Sequence, residues 1–156
     1  MSRWCGRHRQ RTPCPDRARE LDTGRNPDRF DPTPDDRVLD VGCGTGFATE
    51  ALVERAGEVH GLDQSPDQLA RAFDRLGKHD PVSFVLGDAE RLPYSENAFD
   101  AVWSSGSIEY WPDPVAALRE LRRVTRPGGR VLVVGPDAPE SAVFRRLADA
   151  VMLFYD

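Results

Sequence analysis

In the stretch "VLDVGCGTGFATE", residues 38–50, a run of apolar and β-branched side chains passes straight into glycines at 42, 44 and 46, then into residues that suit a helix. A strand that turns into a helix through so little side chain leaves few folds open. Further β-branched runs follow in "EVHGLD", "VSFVLGD", "FDAVWSS" and "GRVLVVG", and helical segments separate them. Strand and helix in alternation predict a doubly wound α/β domain with a mostly parallel sheet and a ligand site at the carboxyl ends of its strands.

The helices carry their own punctuation. Phe47 to Ala56 reads as a helix that stops at Gly57; Ser65 and Gln68 form a capping box around Pro66 at the first helical position. Asp113 and Pro114 start another helix, with Val115, Leu118 and Leu121 as its buried stripe and "RPGG" at 126–129 as its stop before the fifth strand. Beyond Gly135, the spacing of Phe144, Leu147, Ala148 and Val151 predicts one more helix. The chain therefore divides into an irregular or disordered segment over 1–36, a core over 37–135, and the start of a substrate-side lid helix over 136–156.

Charge separates these parts. Residues 1–30 hold 8 arginines and 4 acids, whereas residues 31–156 hold 13 basic and 22 acidic side chains. An acidic body repels phosphate backbones, which argues against nucleic acid as the main partner. No apolar run approaches the roughly 18 residues of a membrane span, and the first 20 residues have no apolar core of the kind a secretory signal needs. Cys5, Cys14 and Cys43 form no CxxC pair, so neither a disulfide framework nor a zinc site is expected, and the compartment reads as a reducing cytoplasm.

A dinucleotide fingerprint would place glycine at 47, where this chain has Phe47. Asp40 beside the loop would repel a pyrophosphate and attract an amine. A glycine-rich turn that is merely structural stays open at this point. The pattern of an acid followed by GxGxG at the end of the first strand resembles that of class I methyltransferases, whose cofactor S-adenosylmethionine carries both an amine and a carboxylate. The resemblance gives Asp40, Gly42, Gly44 and Gly46 to the cofactor loop. It gives Asp63, with Gln64 beside it, to the ribose hydroxyls. Asp88 falls near the adenine amino group, the Ala89 N–H against the ring, and Ser104, at the end of the fourth strand, near the methionine moiety.

"GLDQSPDQLARA", "GDAERLPY", "GSIEYWPDP" and "VVGPDAPESAVFRRLADAVMLF" are similar to segments of the 2-methyl-6-phytylhydroquinone methyltransferases and their prokaryotic relatives. That resemblance implies a lipophilic aromatic acceptor, a Rossmann-like fold, peripheral contact with membranes, and Glu109 or Tyr110 as base or quinol hydrogen-bond partner. It covers about residues 37–154 and fails over the first 30. The family's sheet continues past a fifth strand, so the chain reads as truncated there and its fifth strand as a surface for self-association. Other acceptors, and a non-catalytic cofactor-binding homologue, remain alternatives.

The other tempting side chains have plainer readings. His60 reads as a packed residue of the second strand, since no His or Cys is placed to share a metal with it, and no metal is expected. Arg119, Arg122, Arg123 and Arg126 follow helical spacing and read as a solvated face.

Overall fold

The computed structural model describes residues 30–78 and 80–135. The helix expected over 144–151, His8, His79, Cys5, Cys14 and most of the 1–36 and all of the 136–156 segments lie outside the described residues. Within them the order is β1 (Arg37–Val41), α1 (Phe47–Val53), β2 (Glu58–Asp63), α2 (Pro66–Leu76), β3 (Val82–Leu86), β4 (Phe99–Ser105), a 3₁₀ turn (Ile108–Tyr110), α3 (Pro114–Val124) and β5 (Thr125–Val134). The five strands form one parallel sheet in the order β3-β2-β1-β4-β5. The chain reverses direction across the sheet between β1 and β4, which is where a doubly wound fold opens its crevice.

The sheet is apolar on both faces because helices or chain cover both. On one face Leu39, Val41, Leu62, Phe99 and Val102 pack against Ala117, Leu121 and Val124 of α3. On the other, Val38, Val59 and Ala101 meet Leu52 and Ala56. Phe30, in the stretch the sequence marks as irregular, belongs to this second cluster, with its ring 5.2 Å from that of Trp103. The Gly57 N–H and Glu58 N–H both donate to the Asp36 carbonyl, and Arg130 pairs with the Asp36 carboxylate, so residues 30–36 are fixed to the sheet.

Four local expectations change. First, α1 ends at Val53, short of Ala56. Ser65 does cap α2, accepting the Gln68 N–H at 3.3 Å behind Pro66, but its own N–H donates to Asp63 (Oδ1, 2.9 Å), a group outside the helix. In α3 the buried stripe is Ala117, Leu121 and Val124, with Val115 exposed. Finally, "RPGG" does not stop that helix: Thr125 already pairs with Phe99, and a step of two along β4 matches five along β5, so the segment bulges out at Gly128 (φ 74°).

The arginine set is a solvated face in part: Arg119, Arg122 and Arg126 are exposed, while Arg123 is half-buried. Arg123 donates to Glu120 (2.6 Å), to the Tyr94 carbonyl (2.8 Å) and to the Leu92 carbonyl (3.1 Å), pinning the β3–β4 connection onto α3. Arg126 pairs with Asp100. No helix among the described residues is long and apolar enough to cross a membrane.

Because Phe30 plugs the α1 side of the sheet, Phe30→Ala is expected to cost about 3 kcal/mol, the usual scale for emptying a buried aromatic site. Urea unfolding of the two proteins checks this, and a loss under about 1 kcal/mol would show that the core begins at β1.

Candidate active site

The site is built where β1 leaves the sheet. Gly42, Gly44 and Gly46 all have left-handed backbones, with φ of 73°, 55° and 80°. At Gly42 the need is steric as well: a Cβ there would stand 2.4 Å from the Ser107 Cβ. Gly44 faces open space, so its lack of a side chain leaves room in front of the loop. The Gly42 and Cys43 N–H groups both donate to the Leu62 carbonyl, at 2.7 and 3.0 Å, which seats the loop on β2.

Asp63, the last residue of β2, joins these parts. Its Oδ2 accepts the Gly44 N–H at 2.8 Å and its Oδ1 the Ser65 N–H at 2.9 Å, while its carbonyl accepts the Gly87 N–H at 3.0 Å. Beyond it lies a cleft of about 290 Å³, at the carboxyl ends of the strands. Gly42, Gly44, Asp63 and Gln64 line one side, Gly87, Asp88 and Ala89 another, and Gly106, Ser107, Tyr110 and Trp111 a third. A larger depression of about 440 Å³ lies at the amino ends of β2 and β3, beside Glu58, Asp80 and Ser83. It is the more open of the two, and the convergence of loop glycines and carboxylates makes the smaller cleft the candidate site.

Of the residues singled out in the sequence, Gly42, Gly44, Asp63, Gln64, Asp88, Ala89 and Tyr110 come together on this cleft. Asp40, Gly46, Ser104 and Glu109 do not line it. Asp40 is buried and accepts the Thr49 hydroxyl at 2.6 Å. Gly46 packs toward Ala72 and Leu76 of α2, and Ser104 is fully buried against Ser107. Glu109 is exposed on the 3₁₀ turn. Ser107, Trp111, Gln68 and Gly87 were missed. Trp111 sits in the quoted "GSIEYWPDP", but nothing in the local sequence marks Ser107, whose position depends on the approach of Gly42.

His60 packs edge-on to Tyr94 and Phe99, with Glu58 and Ser83 on its two ring nitrogens at 2.6 and 2.9 Å. It lies on β2 away from the cleft. Among the described residues no cluster of His, Cys, Asp and Glu has the makings of a metal site.

Burial dominates the electrostatics behind the loop. Desolvation pushes the Asp40 carboxyl up to about 7, against the pull of the Thr49 hydrogen bond and with help from the charge of Asp63. Burial and the same two carboxylates push the Cys43 thiol well above its ordinary range, so it is a packed thiol and not a nucleophile. The cleft thus has acceptors at its rim and latent negative charge behind it, a set of groups that fits a ligand with ribose hydroxyls and a cationic centre better than one with a pyrophosphate.

Residues 39–133 match the protein family described as "Methyltransferase domain". The chain belongs to that family. Over 120 residues it is 45% identical to 2-methyl-6-phytyl-1,4-hydroquinone methyltransferase 1, chloroplastic, of Oryza sativa subsp. japonica, a match covering 76% of this chain and 36% of that protein. Over 116 residues it is 38% identical to the demethylmenaquinone methyltransferase of Corynebacterium kroppenstedtii, covering 74% of this chain and 48% of that one. The chain therefore spans about a third to a half of the length of these relatives. Among solved structures, the YcgJ protein from Bacillus subtilis superposes with a TM-score of 0.67 at 29% identity, covering 76% of this chain and 52% of that one. The Rossmann-like fold expected from the sequence is the one found.

An acid with a raised folded-state pKa holds a proton that its unfolded counterpart has lost, so the Asp40 contribution falls as pH rises from about 4 to about 7 and is level above that. Asp40→Asn should abolish this slope. Glu58, Asp100 and Glu120, held low by hydrogen bonds from His60, the Arg37 N–H and Arg123, lose stability only as pH falls through the carboxylate range, below the window of interest. Denaturant titrations from about pH 5 to about pH 8 should show the wild type losing on the order of 1 kcal/mol per pH unit more than the variant up to neutrality. Parallel curves would mean that Asp40 is ionised in the fold throughout.

Proposed function

We propose that this domain binds S-adenosylmethionine and serves methyl transfer to a ring carbon of a prenylated hydroquinone. The observation that carries the cofactor reading is Asp63. Each of its oxygens accepts a single backbone N–H, and a carboxylate has about four lone-pair sites, so both oxygens keep capacity for the paired hydroxyls of a ribose.

In this reading Gly42 and Gly44 give the methionine portion room against the loop. The adenine amino group donates to Asp88, and the backbone at Ala89 lies along the ring. Asp40 acts from behind the loop through its charge, and Ser104 supports the wall from beneath. Bound S-adenosylmethionine supplies an electrophilic methyl on a sulfonium, a transfer that depends mostly on alignment and proximity. Of the pair Glu109 and Tyr110 only Tyr110 lines the cleft, with 70% of its surface exposed, and it is the group we assign to a phenol of the acceptor. Trp111, half-buried beside it, offers an apolar ring for an aromatic acceptor to pack on.

The acceptor reading draws on the two relatives, one named for a phytylhydroquinone and one for demethylmenaquinone. A free, buried Cys43 is in keeping with a reducing, cytoplasmic setting.

A form of the protein extended to the length of its relatives should, with S-adenosylmethionine, methylate reduced 2-methyl-6-phytylhydroquinone and leave the oxidised quinone untouched, because only the quinol ring carbon is nucleophilic. Transfer to water-soluble phenols or amines alone would overturn the acceptor. In calorimetry, Asp63→Ala should weaken S-adenosylhomocysteine about 10- to 100-fold, the scale of lost charge-assisted hydrogen bonds. Binding of NADH at equal strength would overturn the cofactor.

A further inference from the structure

Ser107 stands where the two halves of the cleft meet. Its hydroxyl donates to the carbonyl of Val41, the last residue of β1, at 3.3 Å, and its oxygen lies 2.7 Å from that of Ser104. With the Ser107 proton directed at Val41, Ser104 is the donor in the pair. Ser104 has no exposure, so its end of this short chain of hydrogen bonds is shut off from water, where such bonds are strong and directional, while Ser107 is half-buried at the wall of the cleft. The Ser107 Cβ fills the volume that a side chain on Gly42 would need.

The backbone of the same residue carries the opposite wall. Its carbonyl accepts the Tyr110 N–H at 3.0 Å, closing the 3₁₀ turn, and the Ile108 carbonyl accepts the Trp111 N–H at 3.3 Å. On the other side Gly106, at φ 64°, donates to the Val134 carbonyl at 2.8 Å and so ties the turn to the end of β5. Packing alone would be met by alanine, which keeps the Cβ against Gly42. The hydroxyl adds a fixed direction between the strand that enters the glycine loop and the turn that presents Tyr110 and Trp111.

We infer that Ser107 is a positioning residue that couples occupancy of the glycine loop to the placement of Tyr110 and Trp111, through the Ser104–Ser107–Val41 hydrogen bonds. The inference rests on the reading of the cleft as an S-adenosylmethionine site. A ligand seated against Gly42 and Gly44 holds the end of β1 still, and the Val41 carbonyl then holds Ser107 and the turn behind it. Occupancy of the cofactor half would thus order the acceptor half before any acceptor arrives.

The test is amide hydrogen exchange with and without saturating S-adenosylhomocysteine, which needs no turnover. In the wild type the ligand should slow exchange at Gly44 and also at Tyr110 and Trp111. In Ser107→Ala the protection at Gly44 should remain and that at Tyr110 and Trp111 should vanish. The single substitution leaves a buried Ser104 hydroxyl without its partner, so the double variant Ser104→Ala/Ser107→Ala, which removes both groups together, separates loss of coupling from loss of fold. It should lose the same protection while keeping the wild-type melting behaviour. Protection of Tyr110 and Trp111 that survives in both variants, or is absent from the wild type despite binding, overturns the inference alone. A wild type that does not bind S-adenosylhomocysteine overturns the reading of the cleft and the inference with it.

Discussion

The carboxylate of Asp63 is the constraint on which the site depends. It ends β2, and from that single position it accepts hydrogen bonds from the glycine loop after β1 and from the N-terminal entry to α2. Ser65, fixed in this way, caps the first turn of α2, and the Asp63 carbonyl holds Gly87 at the exit of β3. Three connections at the carboxyl edge of the sheet therefore share one acidic residue. Charge-assisted bonds of this kind are shorter and stronger than neutral ones, and they arrange the loop before a ligand arrives.

The electrostatic character of the cleft follows from how its acids are buried. Asp40 sits behind the loop without water and bonded to Thr49, so its charge is costly in the empty protein. A cationic ligand in front of the loop would favour the ionised form, and binding would then be accompanied by proton release. Asp63 and Asp88 stand at the rim, where solvent and backbone donors support their charge. In the proposed reading such a site favours a cation and a vicinal diol over polyphosphates, in keeping with a loop that has Phe47 where a dinucleotide fingerprint has its last glycine.

Much of this architecture is legible in the chain itself. The strands alternate with helices because β-branched runs and capping residues recur locally, and Ser65, Asp113 and the two helix-starting prolines mark helix starts that the structure keeps. What the sequence hides depends on contacts between distant segments. Phe30 is an isolated aromatic among prolines and charges, and only the facing Trp103 makes it core. Arg123 has the spacing of a solvated residue, but the carbonyls of Leu92 and Tyr94 come within its reach when the β3–β4 connection is laid against α3. "RPGG" looks like a terminator because its residues break local structure, yet a strand paired on both sides of it can carry it as a bulge. Ser104 is marked by its place at the end of the fourth strand, but Ser107 gives no local signal; its seat beside Ser104 goes with the close approach that Gly42 permits.

The central claim is that the glycine loop, the end of β2 and the exit of β3 form one S-adenosyl-binding surface. Backbone amide chemical shifts of the protein titrated with S-adenosylhomocysteine test it most directly. The account predicts that the largest changes fall at Gly44, Asp63, Gln64 and Ala89 and saturate together, with Glu58 and Ser83 at the amino ends of the strands unmoved. Changes centred instead on Glu58, Asp80 and Ser83, or none at saturating ligand, would contradict it.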